Sequence, residues 1–184
     1  KWTDFFEVTI AGSSSELPAV KNQINAAMNY IQSHVFTDAH YKGDVPASLD
    51  GQGLMYEMAE YYAIIKKHPD LIKKFEGMGM MRNGKFVIEV HDQNFVPTDI
   101  MSGSHTQFIA ADKKSTGLPV KIRIGLDYLK GAQILGVDGK TYAATLEGVL
   151  VNELAHISSQ SRDDELSNVY ETVCWLGLAK QNVK

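Results

Sequence analysis

Leu146-Glu147-Gly148-Val149-Leu150-Val151-Asn152-Glu153-Leu154-Ala155-His156-Ile157-Ser158 decides how the chain is read. At about 100° per residue, with Leu146 at zero, the side chains of Leu146, Val149, Leu150, Leu154 and Ile157 cluster within about 80° of one direction. That is a helix with one apolar stripe, expected to start near Tyr142 and run to about Gln160. Asn152 and His156 fall at about 240° and 280°, neighbours on the flank of the stripe, and Glu153 at about 340°, inside it. A carboxylate on a core-facing stripe needs a reason, because burying it unpaired costs several kcal/mol or forces it to keep its proton. Two readings stay open: a salt bridge or hydrogen bond to a neighbouring helix, or a general base lining a cleft, where partial burial brings its pKa towards the working pH. The placement of His156 beside it favours the second.

A further helix is expected from Asp164 to about Lys180, with Ser161 or Asp163 as N-cap and acids in its first turn. Its apolar face gathers Leu166, Val169, Tyr170, Val173, Leu176 and Gly177. The short link makes the two helices an antiparallel hairpin, so His156 should face the segment from Glu165 to Asn168. Glu165 borders the apolar face and Glu171 lies on nearly the opposite side. Glu165 is therefore the first-ranked partner for His156 and Glu171 the second; a role for Glu165 in the helix dipole alone is an equal alternative.

Upstream the pattern is different. Trp2 to Ile10 reads as a short strand or docking segment before Gly12-Ser13-Ser14-Ser15. A helix follows, with Ser15 as cap, Pro18 in the first turn, and Val20, Ile24, Ala27, Met28, Ile31 and Val35 at helical spacing. Ala39 to Gly53 reads as a loop of functional length. Leu54 to Lys67 is a second amphipathic helix, broken by His68-Pro69-Asp70, and Leu71 to Phe75 starts a further turn or short helix. Gly77-Met78-Gly79-Met80-Met81 is better explained by core filling than by a binding surface.

After the Asn83-Gly84 turn the period becomes alternating. Residues 85–90, 106–111 and 120–126 are strand candidates. In the last, Val120, Ile122 and Ile124 point one way and Lys121 and Arg123 the other, which predicts one buried and one wet face, as in an antiparallel or edge strand. Asp138-Gly139 marks a turn. Helices, then a small mixed or antiparallel sheet, then two helices make an α+β fold.

The 184 residues fit one domain, 1–184. A formal net charge of -4 and a pI near 5.8 argue against a nucleic-acid surface. The pairs Lys66-Lys67 and Lys73-Lys74 read as a solvated face. No apolar run is long enough for a membrane span and the first residues show no Sec-type signal. A start at Lys1 rather than methionine is compatible with a fragment cut from a longer chain. Cys174, the only cysteine, sits in an apolar run and reads as a packed thiol rather than a nucleophile. His34, His40, His68, His91 and His105 form no pair with ligand spacing on a convincing element, and no phosphate loop or nucleophile elbow is visible.

In the His-Glu-x-x-His pattern, two imidazoles one helical turn apart hold zinc and the glutamate activates the attacking water. Here Glu153 and His156 stand at their motif positions, and Asn152 stands at the first ligand position. The run from Leu146 to His156 resembles the active-site helix of zincin metallopeptidases, most of all the short toxin and effector peptidases of bacterial secretion systems. The match covers about 35 C-terminal residues and the order of sheet before metal helix. The resemblance implies a Zn2+ site with Asn152 and His156 at the motif positions and Glu165, or second Glu171, as third ligand. It implies Glu153 as general base and Tyr170 as an oxyanion-stabilising candidate, although core packing explains Tyr170 equally well. It also implies a monomeric endopeptidase, secreted without a Sec signal and acting on a protein or peptide in a target cell, with an immunity or inhibitor protein as a further partner. The peptide would lie along the sheet edge, in strand 106–111 or 120–126.

Arg162 stands where the other common zincin arrangement has an aspartate or histidine, and Asp163 comes one residue late. An amide oxygen replaces imidazole poorly at zinc, so Asn152 should lower affinity and activity sharply. Three explanations stay open: a peptidase disabled by a His-to-Asn change, which the retained Glu153 and His156 favour; a natural pseudo-peptidase kept for binding; and an unrelated α+β domain with an accidental motif.

Overall fold

The computed structural model describes residues 1–38, 48–92, 104–109, 118–126, 133–135, 140–143, 145–161 and 164–181. A 3-10 turn, Trp2–Asp4, leads into β1 (Phe6–Ala11), followed by α1 (Leu17–Ser33), the paired strands β2 (Val35–Thr37) and β3 (Ser48–Asp50), α2 (Gly51–Lys66) and α3 (Pro69–Gly77). Strands β4 (Met81–Arg82), β5 (Lys85–His91), β6 (Ser104–Ile109), β7 (Leu118–Gly125), β8 (Gln133–Leu135) and β9 (Thr141–Ala143) come next. The chain closes with α4 (Leu146–Ser159) and α5 (Asp164–Gln181). The fold is α+β with a mixed sheet. No helix among the described residues is long and apolar enough to cross a membrane.

The main sheet has the order β1-β5-β7-β6. Strands β1, β5 and β7 run parallel, β6 is antiparallel at the edge, and β4 turns back onto β5. That last turn, Asn83-Gly84, has both residues at positive φ, 51° and 72°, the geometry a two-residue hairpin needs to match strand twist. Val8, Ile88 and Ile122 lie in register across three strands and are buried. With Phe6, Phe86, Val90 and Ile124 they join Ile24, Met28, Leu150 and Leu154 in one core. Helices α1 and α4 both pack on the sheet, α4 against β6 and β7.

Several expectations change. Strand β7 is interior rather than an edge, and its polar side is not wet. Lys121 is 6% exposed. Glu89, on neighbouring β5, takes the Lys121 ammonium at 2.8 Å, the Arg123 Nε at 3.4 Å and the His91 Nε2 at 2.6 Å. Lys121 Nζ also donates to the Gly79 carbonyl at 3.1 Å. Glu89 is desolvated, but its hydrogen bond from Lys121 and the surrounding cations outweigh that and hold its carboxyl below the ordinary range. A row of largely covered polar side chains is therefore ion-paired on this face of the sheet, which alternation alone cannot reveal.

Residues 141–143 form β9 rather than the start of the long helix. Thr145 caps α4, its hydroxyl accepting the Gly148 N–H at 3.0 Å. Ser15 does not cap α1. The Asp92 carboxylate instead accepts the N–H groups of Ser13 and Ser14 at 2.8 and 2.9 Å, which lowers its pKa. Helix α1 stops at Ser33, and Val35 is an exposed residue of β2. The expected loop gives way at residue 48 to β3 and then to α2, which starts at Gly51; residues 39–47 lie outside the described residues. An added Cβ at Gly51 would fall 1.6 Å from the Ile31 carbonyl oxygen, so only glycine lets α2 start against the end of α1. Met81 fills the core as expected, whereas Met78 is exposed. The Asp138-Gly139 turn and residues 110–111 of the second strand candidate lie outside the described residues.

Candidate functional site

Helix α4 is buried nearly all round, so its polar residues face packed neighbours rather than water. Gly148, Asn152 and His156 recur every four residues and form one stripe along it. The facing stripe on α5 is Ser167, Asn168 and Glu171. Contacts run in opposite directions along the two helices, as an antiparallel pair requires. An added Cβ at Gly148 would meet the Glu171 Cγ at 3.5 Å. The Asn152 Nδ2 donates to a Glu171 carboxylate oxygen at 2.6 Å and to the Asn168 side-chain oxygen at 2.9 Å. One turn further on, Ser167 Oγ lies 3.3 Å from His156 Nε2. The other ring nitrogen, Nδ1, is 2.9 Å from the Ser161 carbonyl oxygen. A carbonyl only accepts, so Nδ1 carries the hydrogen, and in the neutral ring Nε2 is the lone-pair nitrogen that accepts from the Ser167 hydroxyl.

His156 thus meets α5 within the segment expected of it. Glu171 is a correction. It is 7% exposed and faces α4, not the opposite side of α5. Leu166, assigned to the apolar face, is 38% exposed. The helical wheel misplaced both because α5 has more than one packed face: α4 on one side and the β2–β3 pair on another, where an added Cβ at Gly177 would sit 3.4 Å from the Phe36 Cβ. Burial raises the Glu171 carboxyl to about 7; the Asn152 hydrogen bond opposes this and the nearby charge of Glu153 adds to it.

Glu153 is 4% exposed, more deeply buried than the rim of an open cleft. Glu165 lies in the first turn of α5, but its side chain is outside the described residues, as are Arg162 and Asp163. Burial first, and then the charge of Glu57 on α2, raise the Tyr170 hydroxyl, so the groups acting on it are not those of the α4–α5 layer. Cys174 is buried and its thiol is pushed up by burial, in keeping with a packed residue. Sequence reasoning missed Ser167 and Asn168. Their signal was the four-residue spacing of Ser167 and Glu171, which matches Asn152 and His156 across the hairpin.

Zinc takes imidazole, thiolate or carboxylate donors at about 2.0–2.3 Å. His156 Nε2 and the Glu171 carboxylate are of the right kind, and the tautomer of His156 is set correctly by the Ser161 carbonyl. Position 152 is not: its amide nitrogen faces the carboxylate and is a donor, with no lone pair for a cation. Among the described residues no three His, Cys, Asp or Glu side chains form a group that could hold a metal ion. Among the described residues, the side chains of Asn152, His156 and Glu171 as they stand do not make a zinc ligand set.

No family model, no curated protein and no solved structure matches the chain.

Proposed function

We propose that the chain is a single metallopeptidase-like domain of the zinc endopeptidase class, silenced at one ligand position by Asn152. The observation that supports this reading is that one layer between α4 and α5 holds position 152 against Glu171 and, one turn on, His156 against Ser167, with Glu153 near enough to act on the Glu171 carboxyl. A histidine at 152 would complete a donor set of two imidazoles and a carboxylate. Glu153 would be the general base, and Glu171, rather than Glu165, the third ligand. With asparagine in place the reading gives this chain no catalytic step.

The substrate in this proposal is a protein or peptide laid along β6. Strand β7 lies between β5 and β6 and has no free edge, whereas β6 is the outermost of the described strands and packs beside α4. Delivery by a specialised bacterial secretion system into a target cell belongs to the same proposal.

The test is Asn152→His, with bound zinc measured by elemental analysis and cleavage scored on a panel of unfolded proteins. One equivalent of zinc together with cleavage supports the reading. A correctly folded variant that takes up no zinc overturns it. The complete hydrogen bonding of the Asn152 amide nitrogen favours a second reading, a natural pseudo-peptidase kept for protein binding. Zinc uptake without cleavage of any substrate in the panel would favour that reading.

A further inference from the structure

The misfit between zinc and these side chains has its own structural content. The structure assigns the α4–α5 layer a metal-independent role: Asn152, Asn168 and Glu171, with His156 and Ser167, form a hydrogen-bonded clasp that holds α5 onto α4 in place of a metal ion. Three observations support it. Asn152 directs both hydrogens of one amide nitrogen at α5, to the Glu171 carboxylate at 2.6 Å and the Asn168 oxygen at 2.9 Å. His156 bridges the helix turn and α5, through the Ser161 carbonyl at 2.9 Å and the Ser167 hydroxyl at 3.3 Å. Gly148 brings the backbone of α4 close to Glu171, where an added Cβ would already be in van der Waals contact with the Glu171 Cγ at 3.5 Å. The His156 Nε2 and a Glu171 carboxylate oxygen, which a cation would need, are thus engaged in hydrogen bonds to Ser167 and Asn152.

The clasp matters because α5 links two regions of the molecule. One side of α5 meets α4, which packs on the sheet; another meets the β2–β3 pair, with Gly177 against Phe36. Holding α5 in place also holds that pair. The clasp does not depend on the peptidase reading.

Urea unfolding of the full chain, followed by tryptophan fluorescence, tests it. The unfolding midpoint should be the same with and without a strong zinc chelator, and unchanged by equimolar zinc. Asn152→Ala should lower the folding equilibrium constant about tenfold or more, because it strands a buried carboxylate. Asn168→Ala, on an exposed residue, should lower it less. Combined with Glu171→Gln, the Asn152→Ala effect should shrink, giving a non-additive cycle. If Asn152→Ala does not fold, Asn168→Ala supplies the cycle. In 15N spectra His156 should carry its proton on Nδ1, and Ser167→Ala should shift the Nε2 resonance alone. A chelator-sensitive midpoint, an additive cycle, or a His156 protonated on Nε2 instead would overturn the proposal. An Asn152→His protein without zinc would remove the peptidase reading and leave the clasp standing, whereas an additive cycle would remove the clasp and leave the histidine variant's chemistry untouched.

Discussion

Replacing Glu171 by glutamine should stabilise the protein at alkaline pH and do little at acid pH. Glu171 is buried, and its carboxyl is raised from 4.5 to about 7. A raised carboxyl pKa means that the folded state binds the proton more tightly than the unfolded chain. Stability from this group is therefore full below about pH 4.5, is lost as the pH rises towards 7, and stays lost above it. A shift of about 2.5 units at 1.36 kcal/mol per unit corresponds to about 3 kcal/mol at pH 8. Glutamine removes the charge and keeps an oxygen for the Asn152 Nδ2, which donates to Glu171 at 2.6 Å. Urea unfolding from pH 4 to 8 should show the variant more stable by about 3 kcal/mol at pH 8, with the difference falling below about 1 kcal/mol by pH 5. A variant less stable than the parent at pH 8, or a difference independent of pH, would refute the reasoning and show the carboxylate to be well compensated in its charged form.

Glu89→Ala should destabilise by about 3–5 kcal/mol, because it leaves the buried Lys121 ammonium without its counter-charge, and a second change, Lys121→Met, should recover most of the loss in the same unfolding assay. The Glu89 carboxyl is lowered, so its contribution is present above its unfolded pKa and declines as the pH falls through the folded value; acid titration of the parent should show that loss and Glu89→Ala should not. Gly51→Ala should cost more than about 3 kcal/mol or prevent folding, since its Cβ would meet the Ile31 carbonyl oxygen at 1.6 Å, whereas Gly77→Ala, with open space around it, should be neutral or stabilising by up to about 1 kcal/mol. Thr145→Ala removes the cap of α4 and should lower stability by about 1 kcal/mol, read as a lower urea midpoint.

Local signals were sufficient for much of the architecture. The apolar spacing of α1, α2 and α4, the Asn83-Gly84 hairpin and the alternation of Val120, Ile122 and Ile124 are all properties of short windows, and the elements formed where those windows lie. The pairing of Asn152 with His156 on one flank of α4 follows from helical geometry alone. What failed was every inference that assumed an element has a single packed side. Leu166 was assigned inward and Glu171 outward, and the structure reverses both. Lys121 and Arg123 were read as wet and are held inside the sheet.

The sequence by itself determined the main helices and the strands β1, β5, β6 and β7, that two helices form a hairpin after the sheet, and which residues of α4 share a flank, because these depend on neighbours within a few turns. Only the tertiary structure decided that β7 is interior and β6 the edge among the described strands, that Glu171 faces α4 and meets Asn152, and that Glu89 is the shared carboxylate for Lys121 and Arg123. A polar side chain can be buried when its partner arrives from elsewhere in the chain, as Glu171 does for Asn152 and Arg123 for Glu89. No window of local sequence contains both members of such a pair together with the fold that joins them.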